Sequence, residues 1–117
     1  MRRTMLKVVP LMSDWVTVAK QGEIAPGAFR VFDLDGTAVA VFNIAGSYYA
    51  IEDVCTHDGG DLTSGGLEGD QVICPRHGAR FCVRTGEALS APAYEPTAVF
   101  PVRLAQGEIQ VRDDRWD

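Results

Sequence analysis

CTHDGG at Cys55–Gly60 and CPRHGARF at Cys74–Phe81 decide how this chain is read. Each stretch places a thiol and an imidazole in one short loop, as Cys55-x-His57 and Cys74-x-x-His77. Sixteen residues separate His57 from Cys74. Two short pairs joined by a hairpin-sized stretch converge on one centre when the chain between them folds back. A soft thiolate and a borderline imidazole from each loop suit zinc or iron, whereas a hard cation such as calcium wants oxygen ligands.

Zinc is the serious chemical rival, because a Cys2His2 set closes a tetrahedron around it. Common zinc patterns pair Cys with Cys and His with His, and they space each pair more widely than Cys55-Thr56-His57 does. Both departures weigh against zinc and leave it open. The odd count of three cysteines argues against a disulfide framework. A Cys/His hydrolase needs one nucleophile and one base, which the duplicated pairs exceed. Cys82 matches neither pair and reads as packing, on a strand beside the site.

Around these loops the texture is β. WVTVAK (Trp15–Lys20), AFRVFDL (Ala28–Leu34), AVAVFNI (Ala38–Ile44) and SYYAIE (Ser47–Glu52) alternate or are rich in β-branched residues. The pairs Asp35-Gly36 and Ala45-Gly46 suit tight hairpins, so these four runs predict an antiparallel meander. AVFPVRL (Ala98–Leu104) and EIQVR (Glu108–Arg112) flank Gln106-Gly107 and predict one more hairpin. Between the two β regions, residues 53–96 hold seven of the twelve glycines, all three cysteines and both histidines. That segment reads as a small insertion whose loops carry function on an all-β scaffold.

A length of 117 residues, 46% of them hydrophobic, suits one domain with a modest core. No apolar run approaches the roughly 18–20 residues of a membrane span. RRTMLK (Arg2–Lys7) resembles the start of a twin-arginine export signal, but the apolar VVPLM after it has only five residues. Export is therefore not expected and the cytoplasm is. MSDWVTVAK reads like a domain start at Met12, leaving residues 1–11 as an N-terminal extension and 12–117 as one domain. Residues 50–95 carry eight acids and three bases, and the rest of the chain eight of each, so this segment accounts for the whole net charge of −5. Phosphates would be repelled there, which excludes nucleic acid as a partner, whereas a basic protein surface would be attracted.

The paired loops resemble those of Rieske [2Fe–2S] proteins, in which two cysteines hold one iron and two histidines the other. GARF after His77, TGEAL (Thr85–Leu89) and APAYEP (Ala91–Pro96) extend the likeness, which spans Trp15 to Arg112. The resemblance implies a Rieske-type fold: an antiparallel β-sandwich-like scaffold with a small loop-rich cluster-binding subdomain. It implies one [2Fe–2S] cluster, with Cys55 and Cys74 on one iron and His57 and His77 on the other. It also implies a proline-bearing loop over the cluster, which puts Pro92 there.

Departures from the respiratory branch of that family refine the expectation. The two cysteines that form a disulfide between the loops in that branch are Gly60 and Arg76 here. Its serine and tyrosine hydrogen-bond donors are Ala79 and Phe81 here. Losing donors to sulfur disfavours the more negative reduced state, and nearby acids act the same way. The expected potential is near the lower end of the family range, roughly −150 mV. These features resemble the ferredoxin component of bacterial ring-hydroxylating oxygenase systems, which is not itself an enzyme. By that resemblance the chain is a soluble one-electron carrier. An NAD(P)H-dependent flavoprotein reductase supplies the electron, and a terminal non-haem iron oxygenase receives it around His57, His77 and Pro92. Two alternatives remain: an electron-transfer subunit of a nitrite-reductase-type assembly, and a structural zinc module.

Overall fold

The structure is a computed structural model that describes residues 15–115. The expectations for residues 1–11, for RRTMLK and for a start at Met12 lie outside the described residues. Ten strands follow in chain order: β1 (Val16–Lys20), β2 (Phe29–Leu34), β3 (Thr37–Ile44), β4 (Ser47–Glu52), β5 (Leu67–Glu68), β6 (Gln71–Ile73), β7 (Arg80–Cys82), β8 (Val99–Phe100), β9 (Val102–Ala105) and β10 (Glu108–Val111). They form three antiparallel sheets, ordered β1-β10-β9, β2-β3-β4-β8 and β5-β6-β7. The helical content of the described residues is one 3-10 turn, Thr63–Gly65.

The three two-residue turns close the hairpins β2–β3, β3–β4 and β9–β10. Both central residues have positive φ in each: 53° and 91° at Asp35-Gly36, 53° and 94° at Ala45-Gly46, 54° and 78° at Gln106-Gly107. That is the type I′ geometry, whose twist matches the right-handed twist of the flanking strands.

Two sequence expectations need correction. The first four strands do not form one meander. β1 leaves the others and pairs with β10, and Gln21 N–H extends that pairing by donating to the Gly107 carbonyl at 2.8 Å. The stretch between Lys20 and Phe29 contains Pro26 and is too long for a two-residue turn, so nothing holds β1 beside β2. AVFPVRL is also not one strand. Pro101 has no N–H to give a ladder, and the chain changes sheets there, from β8 against β4 to β9 against β10.

The β2-β3-β4-β8 sheet is the middle layer. Val39 and Val41 of β3 pack with Ala50, Phe100, Ile109 and Val111 against the β1-β10-β9 sheet. Ala40 and Phe42, on the opposite face by the two-residue alternation of a strand, pack with Ile51, Leu62, Val72 and Phe81. Burial on both faces explains why the five consecutive residues Val39–Asn43 are all buried. Asn43 sits in that run because its side chain is satisfied: Nδ2 donates to the Ile24 carbonyl and Oδ1 accepts from Gly46 N–H, each at 2.8 Å. Cys55 and Cys74 belong to the second of these cores.

Candidate metal centre

Both ligand-type loops are the same hydrogen-bonded turn. In the first, Cys55 N–H donates to the Gly60 carbonyl at 2.7 Å and Gly59 N–H donates to the Cys55 carbonyl at 2.7 Å. In the second, Cys74 N–H donates to the Ala79 carbonyl at 2.7 Å and Gly78 N–H donates to the Cys74 carbonyl at 3.0 Å. The fourth residue after each cysteine is a glycine in the left-handed region, Gly59 at φ 76° and Gly78 at φ 77°. A side chain there would be strained, so glycine lets each loop reverse within six residues. The two loops thus share a turn that their different Cys–His spacings conceal. The shared signal in the sequence is a glycine four residues after each cysteine.

Donor burial divides cleanly. Cys55 is 0% exposed and Cys74 is 1% exposed, whereas His57 and His77 are both exposed. The imidazole rings meet edge-on, with centroids 5.2 Å apart and an interplanar angle of 86°. Burial pushes the Cys55 thiol up, and the adjacent Cys74 side chain, within hydrogen-bonding reach, adds to this. The Cys55 thiol therefore resists ionisation unless a cation compensates, and a bound metal ion supplies that charge. The donor set therefore fits a metal centre with thiolates inside and imidazoles at the surface. All three cysteines are free thiols. Cys82 is half-buried at the end of β7 and stands apart from the paired loops.

Cys55, His57 and Asp58 also bring one ligand atom each within 4.8 Å of one another. Asp58 is nonetheless engaged elsewhere. Its Oδ1 accepts from Gly60 N–H at 2.9 Å and from Arg76 Nη2 at 3.0 Å, and its Oδ2 is paired with Arg76 Nε. Arg76 and then Gly60 hold Asp58 down at about 2. The free donors are the two thiols and the two imidazoles.

Three tethers hold these loops on the scaffold. Asp53, just after β4, accepts from Leu62 N–H (2.8 Å), Thr63 N–H (2.9 Å) and Thr63 Oγ1 (2.9 Å), which fixes the start of the 3-10 turn. Thr56 Oγ1 donates to the Glu95 carbonyl at 2.7 Å, so the proline-bearing loop lies against the first metal loop. Ala93 of that loop shares the core of Cys55 and Cys74, and Pro92 is half-buried beside it. Arg76 joins the two metal loops directly. The tethering roles of Asp53 and Arg76 escaped the sequence reading, because nothing in their neighbours shows that they bind across nine to eighteen residues.

Replacing Asp53 with Ala should leave the Leu62 and Thr63 amides without their acceptor. The expected destabilisation is about 2 kcal/mol, as for the loss of a charged acceptor to part-buried donors. Denaturant titration of the variant checks it. An unchanged midpoint would show that Asp53 does not anchor this segment.

The local charge is more compensated than its net value suggests. All three bases of residues 50–95 pair with acids of the same segment: Arg76 with Asp58 and Asp61, Arg80 with Glu68 at 3.0 Å, and Arg84 with Asp70 at 3.2 Å. The acids nearest the metal loops thus carry a guanidinium among them, which offsets their effect on an added electron.

An all-β domain with a mixed thiolate and imidazole centre narrows the class to metal-binding β proteins. Residues 14–101 match the Rieske [2Fe-2S] domain, and the chain belongs to that family. It is 37% identical over 102 residues to Ferredoxin CarAc of Metapseudomonas resinovorans, covering 86% of this chain and 95% of that one. The fold superposes on the ferredoxin of carbazole 1,9a-dioxygenase from Nocardioides aromaticivorans IC177 with a TM-score of 0.82 and 34% identity, covering 87% of this chain and 100% of that one. A chain in the complex of reduced oxygenase and oxidized ferredoxin of carbazole 1,9a-dioxygenase matches with a TM-score of 0.79 and 36% identity, over 85% of this chain and 93% of its own length. Family membership brings one Rieske-type [2Fe–2S] cluster, and these relatives are electron-transfer components rather than catalytic subunits. No helix among the described residues is long and apolar enough to cross a membrane.

Proposed function

We propose that Cys55 and Cys74 hold one iron of the cluster and His57 and His77 the other, and that the chain shuttles single electrons in the cytoplasm from a flavoprotein reductase to a terminal non-haem iron oxygenase. The observation that carries this reading is the division of the donors, with both thiols buried and both imidazoles exposed. The cluster, when bound, supplies a one-electron couple. The protein does the rest. Phe42, Leu62, Val72 and Phe81 exclude water from the cysteine side. His57 and His77 are exposed, so a partner docked there comes within short range of the centre. The loop of Pro92 is tied through Glu95 to Thr56, next to His57, and its Tyr94, 82% exposed, offers an aromatic contact. The unit that performs this is one domain, residues 12–117, with the cluster-binding insertion at about 53–96.

Ala79 and Phe81 are fully buried and bring no side-chain donor, which supports a potential near the lower end of the family range, roughly −150 mV. Electron paramagnetic resonance before and after anaerobic dithionite tests the reading. The expected oxidised sample is silent, and the reduced one gives a rhombic signal with an average g below that of all-cysteine clusters. A colourless protein, silent in both states and holding zinc, would overturn it.

A further inference from the structure

We infer that Arg76 is a latch that closes the cluster-binding loops over each other and sets how fast the cluster is lost. The inference rests on the ligand assignment proposed above. Arg76 lies between Cys74 and His77, yet every partner of its side chain belongs to the other loop and its continuation. Nε pairs with Asp58 Oδ2, and Nη2 donates to Asp58 Oδ1 at 3.0 Å and to the Asp61 carbonyl at 2.7 Å. Nη1 lies 3.6 Å from Asp61 Oδ1. The planar fork thus engages one carboxylate twice and a backbone carbonyl once, which an ammonium group cannot reproduce.

Gly60 makes room for this. A Cβ on Gly60 would lie 2.6 Å from the Arg76 guanidinium carbon and within 2.9 Å of both terminal nitrogens. The guanidinium therefore occupies the space that any side chain at position 60 would need. Gly60 does not have positive φ, so alanine there meets no backbone strain and acts on the latch alone.

The latch closes the site mechanically. Gly60 accepts from Cys55 N–H, so pulling residues 58–61 toward Arg76 holds the turn that presents Cys55 and His57. The same side chain fixes residues 75–77 from the other side. Opening this contact separates the two loops, which is the motion a chelator needs to reach the buried cysteine side of the centre. The arrangement also keeps one positive charge beside Cys74. Removing it leaves Asp58 and Asp61 facing the centre uncompensated, which opposes adding an electron.

The test compares Arg76→Ala, Arg76→Lys, Gly60→Ala and the parent, all as holoprotein. Chelator-driven bleaching of the visible absorbance should speed up about fivefold in Arg76→Ala and Gly60→Ala, with Arg76→Lys restoring only part of the difference. High salt should narrow the gap, since the ion pairs are partly exposed. The reduction potential should fall in Arg76→Ala and stay near the parent in Arg76→Lys, a separation that a purely structural role would not produce. Hydrogen exchange on the proteins as purified gives a second readout. The amides of Cys55, Gly59, Cys74 and Gly78 should lose protection in Arg76→Ala and Gly60→Ala. Bleaching and exchange at parental rates in both variants would overturn the latch while leaving the ligand assignment intact. A parent that binds no iron would overturn the ligand assignment, and the exchange experiment would still decide whether Arg76 ties the loops.

Discussion

Cys55→Ser, Cys74→Ser and His77→Ala are each expected to purify without the colour of the parent and without its reduced-state paramagnetic signal, while Cys82→Ser keeps both. The expected loss is near-complete, because under the proposed ligand assignment each of the four donors fills one coordination position. The variants should differ in what else they lose. Cys55 and Cys74 sit in the core formed by Phe42, Ile51, Leu62, Val72 and Phe81. A serine there puts a hydroxyl in an apolar, water-free place, at a cost of about 1–3 kcal/mol where no partner meets it. That cost adds to the folding free energy forfeited with the metal. His77 is exposed, so His77→Ala forfeits the metal but creates no cavity. Iron content, visible absorbance and thermal unfolding on the same four preparations separate these effects. A brown, fully loaded His77→Ala protein would sink the ligand assignment. A Cys82→Ser protein without iron would move Cys82 from packing into the site.

Most of the local structure was legible because short-range chemistry decides it. The three turns with glycine in second place forced their hairpins, since few other residues tolerate that backbone. The strand pairings of the scaffold were less legible because they depend on chain reach and on layers. Nothing in WVTVAK states that its partner is EIQVR at the far end of the chain. Pro101 was a visible warning inside AVFPVRL, and its missing N–H is what lets the chain pass from one sheet to another. The site divided in the same way. Two thiols and two imidazoles in short loops are a chemical signature at close spacing. The repeated turn around Cys55 and Cys74 was hidden because the histidines stand at different offsets, and its residue signal is only the glycine four positions after each cysteine. Arg76 was noticed only as an absent cysteine, whereas its four contacts with Asp58 and Asp61 are a property of the folded loops.

Gly65→Ala is expected to break the cluster-binding subdomain while sparing the rest of the fold. Gly65 ends the 3-10 turn that Asp53 anchors, and this turn lies against the strand leading into Cys74. A Cβ at Gly65 would fall 1.7 Å from the Ile73 carbonyl oxygen, 2.8 Å from the Ile73 carbonyl carbon and 2.8 Å from Pro75 N. All three atoms are backbone, so no side-chain rotation relieves the clash. They also flank Cys74 on both sides, so the turn or the second metal loop must move. Moving the turn strains its Asp53 hydrogen bonds and the Ile73 N–H bond to the Gly66 carbonyl at 3.0 Å. Moving the loop displaces Cys74 and His77. The expected destabilisation is about 3 kcal/mol or more, above the usual cost of one added methyl, because backbone rather than side chains must shift. Gly46→Ala is the matched control. Its φ is 94°, but nothing lies within 4 Å of the added carbon, so it should cost only about 1 kcal/mol of backbone strain and keep the cluster. Iron content should therefore collapse in Gly65→Ala and hold in Gly46→Ala. Hydrogen exchange should show protection lost in β5, β6 and β7 and retained in β1, β9 and β10. Full iron loading in Gly65→Ala would mean that the turn can withdraw from Ile73 without disturbing Cys74, and that the close approach is not what positions the second loop.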